Sequence, residues 1–123
     1  MSKHIDISVN ARFLDSESQP EKSQYVYAYD ITIKNTGETP AQLISRYWHI
    51  EDSNQCVQEV QGMGVIGQQP RLQPGQSYRY SSGVVLETEA GLMQGHYVMS
   101  DDDGVEFEAA IPQFALVKPS ALH

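Results

Sequence analysis

Apolar and polar residues alternate along most of the chain with a period of two. The first run, residues 5–13, has five apolar residues on one side: Ile5, Ile7, Val9, Ala11 and Phe13. Successive side chains of a β-strand point to opposite faces of a sheet, so this run predicts a half-buried strand. The stretch that follows, residues 15–23, is polar, contains Pro20 and is predicted to be a loop.

Residues 24–35 carry the clearest strand pattern, because they are rich in aromatic and β-branched residues. The predicted inner face of this strand consists of Tyr25, Tyr27, Tyr29, Ile31 and Ile33. Further alternating runs predict strands over residues 41–51, 56–61, 76–82, 95–100 and 105–111. Within the first of these runs, the pattern places Ile44, Trp48 and Ile50 on one face with Arg46.

Turn-forming residues separate the runs. Asp101-Asp102-Asp103-Gly104 lies between two alternating segments, and Asp-Gly in that position predicts a hairpin turn. Residues 86–91 are predicted to be irregular, and Pro112 is expected to interrupt the last strand before Phe114.

These elements predict an all-β fold, because no window holds a helical stripe longer than a turn or two. Seven or eight short antiparallel strands favour a two-sheet β-sandwich. A small barrel is disfavoured because the strands lack the glycine kinks that help a sheet curve. We expect one domain over residues 1–123, with residues 118–123 as an extended C-terminal tail.

Composition excludes several classes of function. The formal net charge is −8 and the Lys and Arg residues are scattered, so nucleic-acid binding is not expected. No apolar run reaches the length of a membrane span, and no signal-peptide pattern begins the chain, so we expect a cytoplasmic protein. The one cysteine, Cys56, is predicted to be a small buried or half-buried apolar residue.

The segment Gly62-Met63-Gly64-Val65-Ile66-Gly67 matches the G-x-G-x-x-G spacing of dinucleotide sites. Such sites need a helix after the glycines, whose N-terminus faces the pyrophosphate. Two prolines within residues 68–75 exclude that helix. We therefore predict a glycine-rich loop between strands and no nucleotide cofactor.

An anion site without a helix remains an alternative. Successive backbone N–H groups in a glycine-rich loop can form an anion nest, and an arginine follows the loop. The residues of this candidate site are Gly62, Gly64, Gly67 and Arg71.

The sequence contains no spacing that joins a nucleophile, a base and an orienting group, so an enzyme is the class we expect least. His49 and His96 lie on predicted strands and could meet in space. The run Asp101 to Asp103 lacks the regular spacing and the closing glutamate of a calcium loop. No metal site is predicted from these residues, although a divalent-metal binder stays open as a third hypothesis.

The run Arg46-Tyr47-Trp48-His49 is the candidate interaction surface. On a strand, Arg46 and Trp48 point one way while Tyr47 and His49 point the other. We expect Trp48 in the core, with Tyr47 and His49 on an exposed face and Arg46 at a recognition edge. Arg, Tyr and Trp are enriched among the residues that dominate binding energy at interfaces.

Many segments of the chain, in order, resemble the ApaG family, also called DUF525. The matching segments include YVYAY at 25–29, ITIKNTGE at 31–38, SRYWHI at 45–50, QEV at 58–60, GMGVIG at 62–67, YSSG at 80–83, LET at 86–88, MQG at 93–95 and IPQF at 111–114. Val84-Val85 departs from the family, where many relatives have Cys-Pro.

The resemblance implies a sandwich like those of immunoglobulin or fibronectin type III domains, in a stand-alone cytoplasmic protein. It also implies a genetic link to cobalt and magnesium resistance or efflux, and a proposed pyrophosphate role for the glycine motif. Similar eukaryotic domains are joined to protein-interaction proteins, and no enzyme activity is established for the family. We therefore predict a non-enzymatic module that binds an unidentified protein, with pyrophosphate or another small anion as the alternative ligand. A homodimer is a further hypothesis, because sandwiches expose edge strands.

Overall fold

Eight strands form the framework of residues His4–Lys118, the part of the chain that the computed structural model describes. The strands are β1 (Ile5–Phe13), β2 (Tyr25–Asn35), β3 (Ala41–Asp52), β4 (Val57–Met63), β5 (Arg71–Leu72), β6 (Ser77–Leu86), β7 (Ala90–Asp101) and β8 (Glu106–Val117). Two short 3₁₀ turns, Asp15–Glu17 and Pro20–Lys22, lie between β1 and β2. The all-β prediction is confirmed. The tail predicted over residues 118–123 lies outside the described residues, apart from Lys118.

The strands form two antiparallel sheets. One contains β1, β2 and β6 in that order, and the other contains β4, β3, β7 and β8, with β5 paired to β3. The predicted two-sheet sandwich of seven or eight antiparallel strands is confirmed, whereas the likeness to immunoglobulin or fibronectin type III domains stays a prediction. β4 and β6 are edge strands on one side of the sandwich, joined there by a 3.3 Å hydrogen bond from Gln58 Nε2 to the Val85 carbonyl oxygen.

The core fills the space between the two sheets. The inner face of β2 is buried as predicted from Tyr27 to Ile33, and Trp48 of β3 is 2% exposed. Tyr29 meets the Trp48 ring edge-on, with ring centroids 5.3 Å apart. The core also contains paired hydroxyls, because the oxygens of Tyr80 and Tyr97 lie 2.6 Å apart. Burial raises the pKa of Tyr80 to about 12, so this pair stays uncharged at neutral pH.

A bulge in β3 changes which of its residues face the core. The pairing of β3 with β7 shifts between Leu43 and Ser45, so Ile44 is the extra residue. Leu43 and Trp48 are both buried although they are five positions apart, which a regular strand does not allow. The expectation that Ile44 shares the inner face with Trp48 is therefore wrong, and Leu43 takes that place.

Other strands run further than the sequence pattern indicates. β6 and β7 extend into the predicted irregular stretch, residues 86–91, and leave only residues 87–89 outside strands. β8 continues through Pro112, near the place where its pairing with β7 shifts between Met93 and Gly95. A bulge leaves a residue unpaired, so the missing N–H of a proline is tolerated there. The prediction that Pro112 interrupts the strand is wrong.

The structure differs from the sequence predictions in three smaller respects. β4 runs to Met63, so Gly62 belongs to a strand and not to the loop. The two-residue strand β5 was not predicted, because prolines flank it. Cys56 is exposed, which contradicts the prediction of a buried or half-buried residue.

The described part of the chain has no α-helix with the length and apolar character of a membrane span.

Strands β3 and β7 approach each other so closely that one position requires glycine. Gly95 pairs with Trp48 across the two strands. A Cβ atom on Gly95 would lie 1.9 Å from the carbonyl oxygen of Tyr47. The backbone of β3 would have to move to admit any larger residue, so Gly95 sets the spacing between β3 and β7.

We predict that Gly95→Ala lowers the free energy of unfolding by about 3 kcal/mol, the upper end of the range for overpacked interiors. Urea unfolding followed by Trp48 fluorescence measures this loss. The matched control is Gly83→Ala, whose Cβ atom would lie 3.3 Å from the Tyr27 carbonyl oxygen and needs only a small adjustment. Equal losses in the two variants would contradict the close approach.

Candidate functional site

An open cleft lies between edge strands β4 and β6. Its larger part is a cavity of ≈ 510 Å³. Gln58 and Val60 of β4 form one wall, and Val85 of β6 forms part of the other. Tyr29 and Trp48 from the inner faces of the two sheets also line the cavity, so its floor is the aromatic part of the core.

A second cavity of ≈ 260 Å³ continues the cleft towards the loop after β4. The two cavities share four lining residues: Tyr29, Arg46, Trp48 and Ser82. Around them stand large apolar side chains in contact with solvent. These are Val60 (37% exposed), Met63 (66%), Ile66 (61%) and Val85 (50%). We call the two cavities and these four side chains the inter-sheet cleft.

The Arg46 side chain crosses β4 above Gly62. A Cβ atom on Gly62 would lie 2.8 Å from Nη1 of Arg46 and 3.0 Å from Nη2, so the guanidinium occupies the space of the missing side chain. Arg46 Nη1 donates to the carbonyl oxygen of Gly64 at 2.9 Å and makes a longer contact with that of Met63 at 3.4 Å. Glycine at position 62 therefore allows an arginine from β3 to reach the outer edge of the sheet.

The guanidinium of Arg46 keeps donors available. Of its five N–H groups, those on Nε and Nη2 have no hydrogen-bond partner among residues His4–Lys118. No carboxylate in that range forms an ion pair with it. Burial raises the pKa of the neighbouring Tyr29, which therefore stays neutral at physiological pH. The half-buried Arg46 supplies positive charge to the cleft that no residue in this part of the chain neutralises.

The glycine loop is a tight hairpin. Val65 and Gln68 form an antiparallel bridge, and each backbone N–H donates to the other residue's carbonyl, at 2.8 and 2.9 Å. Ile66 and Gly67 between them have φ values of 40° and 77°. Two central residues with positive φ are the requirement of a type I′ turn. No helix follows, as the sequence predicted.

The hairpin uses part of the backbone that an anion nest would need. The N–H of Gly64 donates to the Ile44 carbonyl oxygen at 2.8 Å, and the N–H of Val65 is held in the bridge. Arg71, the arginine of the predicted anion site, lies on β5 and forms an ion pair with Asp102 at 2.7 Å. The arginine that donates to the glycine loop is Arg46.

The other predicted interaction residues lie on the outer face of the larger sheet. Tyr47 stacks on His96, with ring centroids 5.3 Å apart, and its hydroxyl donates to Glu59 at 2.6 Å. This hydrogen bond raises the pKa of Tyr47. His49 lines a shallow pocket together with Tyr47 and His96. The strand alternation thus places Arg46 in the cleft and Tyr47 and His49 on the outer face, although Arg46 and Tyr47 also line a further pocket of ≈ 430 Å³ with His96.

The two histidines therefore share a pocket, but no group of three metal-ligating side chains forms within residues 4–118. The Asp101 to Asp103 run is the predicted hairpin turn. Asp101 Oδ1 accepts from the N–H groups of Asp103 and Val105 at 2.9 and 3.0 Å, and Asp102 pairs with Arg71.

A separate cavity of ≈ 490 Å³ lies by the turn after β2, where His4, Asn35 and Pro40 line it. Asn35 is buried there with its amide fully engaged, since Nδ2 donates to Thr39 and Leu72 and Oδ1 accepts from Gly37. Among residues 4–118, no arginine, lysine or large exposed apolar side chain lines this cavity.

Sequence reasoning missed the apolar rim of the cleft. Val60 and Val85 follow the strand period and gave no signal that they would meet solvent. The signal lies in the topology, because both residues are on edge strands that face each other across the open side. Only Ile66 could have been noticed, as a β-branched residue within a glycine-rich turn.

Comparison with known proteins gives a consistent result. A model of the ApaG domain, DUF525, matches residues 15–101. The chain is 54% identical over 122 residues to Protein ApaG of Xylella fastidiosa (strain M12), which covers 99% of this chain and 96% of the relative. It is 55% identical over 119 residues to Protein ApaG of Aromatoleum aromaticum, covering 97% and 94%. A crystal structure of an ApaA-designated protein from Bordetella pertussis is similar with a TM-score of 0.93 and 45% identity, covering 95% of each chain.

We predict that Ile66→Asn stabilises the protein by about 1 kcal/mol. Positive φ is strained for a β-branched residue and easy for asparagine, and strain of this kind costs about 1–3 kcal/mol. The urea midpoint is expected to rise, because the exposed Ile66 loses little buried area. Ile66→Val retains the β-branch and serves as the control, with an unchanged midpoint. A lower midpoint for Ile66→Asn than for Ile66→Val would contradict the strain.

Proposed function

Because this chain belongs to the ApaG family, we propose that it acts as a non-catalytic, cytoplasmic module that binds a partner protein through the inter-sheet cleft. The observation that carries the proposal is the position of the exposed apolar residues. Four of the seven large hydrophobic residues exposed within the described range line this one cleft: Val60, Met63, Ile66 and Val85. Single exposed apolar residues need no explanation, but a group of them around a concave surface is typical of an interaction site.

The composition of the cleft supports protein binding. Trp48 and Tyr29 line its floor, Arg46 crosses its edge, and apolar side chains surround them. Such a centre of aromatic residues and arginine within an apolar surface is the arrangement found at protein–protein hot spots. It gives a partner both area to bury and one polar group that fixes orientation.

The strained turn supports the same proposal. Ile66 is exposed and has positive φ, a conformation that favours glycine or asparagine. Stability alone would favour a different residue at this position. Backbone strain retained beside a candidate surface is consistent with selection for the apolar side chain that it presents.

The small-anion alternative has less support. The N–H groups of Gly64 and Val65 already donate within the protein, and the loop directs the Gly64 carbonyl oxygen at Arg46. A pyrophosphate site would need N–H groups at that point. The link to cobalt and magnesium resistance that the family resemblance implies stays a prediction.

A matched pair of variants tests the proposal. Val85 and Val105 are both exposed, by 50% and 57%, but only Val85 lines the cleft. We predict that immobilised full-length protein retains one or more specific proteins from a cytoplasmic extract. Val85→Asp should reduce this retention about tenfold, because it replaces apolar surface that a partner would bury with a carboxylate that must lose its water on binding, while Val105→Asp should leave it unchanged.

Urea unfolding of both variants establishes that they remain folded. Retention that survives Val85→Asp, or that is lost equally with Val105→Asp, would place binding elsewhere on the surface. Absence of any retained protein above the level of an unrelated sandwich domain would contradict the proposal as a whole.

A further inference from the structure

The outer edge of β4 has unpaired backbone groups. Two hydrogen bonds fix the phase of its pairing with β3, from the N–H of Gly64 to Ile44 and from the N–H of Asp52 to Cys56. Hydrogen-bonded pairs alternate with non-hydrogen-bonded pairs in an antiparallel ladder. The N–H and C=O groups of the alternate residues Val57, Glu59, Gln61 and Met63 therefore point away from β3. No strand covers this edge among the described residues.

The edge also lacks the features that usually prevent strand addition. β4 contains no proline and no lysine, and its one charged residue is Glu59. The Glu59 carboxylate accepts from the Tyr47 hydroxyl on the outer face of the sheet, away from the cleft. On the cleft side, the alternate residues of β4 are Gln58, Val60 and Gly62.

The Arg46 guanidinium reaches this same edge. It lies above Gly62, and Nη1 contacts the carbonyl oxygen of Met63, one of the groups that point away from β3. A strand added to β4 would run about 4.8 Å beyond it. A side chain on that strand opposite Gly62 would approach the Arg46 guanidinium, whose Nε and Nη2 have no partner in the described chain.

We propose that β4 receives an extended peptide segment of a partner protein as an added strand, with a carboxylate of that segment bound to Nε and Nη2 of Arg46. This inference rests on the proposed function and names the chemistry of the partner. Two parallel donors from one guanidinium match the two oxygens of a carboxylate. Neighbouring side chains two residues away on the same face would be apolar, because they meet Val60 and the Trp48 floor of the cleft.

A second copy of this chain does not fit the site equally well. Pairing of two β4 strands would bring Gln58, Val60 and Gly62 of the other copy to the cleft side, and none of these carries a carboxylate. The partner-free donors of Arg46 would stay unpaired. Two chains of net charge −8 also repel each other.

The test uses short random peptides displayed and selected against the full chain. We expect the selected peptides to share a carboxylate between apolar residues at alternate positions. In a synthetic peptide whose carboxylate belongs to a Glu, replacing that Glu by Gln should weaken binding about tenfold or more, the effect of a charge-assisted hydrogen bond. This comparison uses the unaltered protein, so it does not depend on the folding of any variant. Amidated peptides distinguish a side-chain carboxylate from a C-terminal one, and either source supports the proposal.

Variants of the chain then locate the contact. Against Arg46→Gln the Glu peptide and its Gln twin should bind with equal affinity, whereas against Arg71→Gln the difference should persist. Arg71 is the matched control, because Asp102 already engages it. Gly62→Ala should weaken the Glu peptide more than the Gln twin, because its Cβ atom would displace the guanidinium. Amide exchange should slow at Glu59 and Gln61 when the peptide saturates the protein.

Several outcomes would overturn the inference. These are equal binding of the two peptides to the unaltered chain, unchanged exchange at Glu59 and Gln61, a doubled mass by light scattering without peptide, and binding of inorganic pyrophosphate at Arg46 with no peptide enriched. Selected peptides without a carboxylate, together with a loss of retention in Val85→Asp, would overturn this inference and leave the proposed function intact. Selected peptides without a carboxylate, together with retention that survives Val85→Asp, would reject both this inference and the proposed function.

Discussion

The guanidinium of Arg46 lies where a side chain at position 62 would be. The open side of the sandwich, between β4 and β6, is organised around this position of the arginine. Because Gly62 has no Cβ atom, the arginine crosses the edge strand β4 and donates to the loop that follows. The crossing supports the turn that presents Ile66, places positive charge beside Trp48, and leaves Nε and Nη2 without a partner among the described residues. A larger residue at position 62 would disturb all three features together.

The rest of the sandwich holds this edge in position. The bulge at Ile44 offers a carbonyl oxygen that accepts from both Gly64 and Gln69, so the start of the glycine loop is tied to β3. Close contact at Gly95 fixes the spacing between β3 and β7 beneath the same region. A rigid scaffold lowers the entropy lost on binding, which makes a small cleft an effective recognition surface.

Local patterns predicted the sheets. The features that the sequence did not predict depend on contacts between strands that are distant along the chain. The alternation of β2 and the burial of Trp48 follow from a period of two, and the family resemblance is confirmed. The period failed at Ile44 and at Pro112, where register shifts depend on partners far away in sequence. Arg46 was recognised as a candidate from its residue type, but not its position over Gly62. The apolar rim was missed because exposure at Val85 depends on which strands become edges.

Backbone and side-chain NMR of the free protein tests the central claim most directly. If Arg46 lies across the edge strand, nuclear Overhauser effects should connect its guanidinium protons with the α-protons of Gly62. The amides of Glu59 and Gln61 should exchange rapidly with solvent, while those of Val60 and Gly62 are protected by pairing with β3. An arginine side chain extended into solvent, with no such connection to Gly62 and with Glu59 and Gln61 protected, would contradict the account.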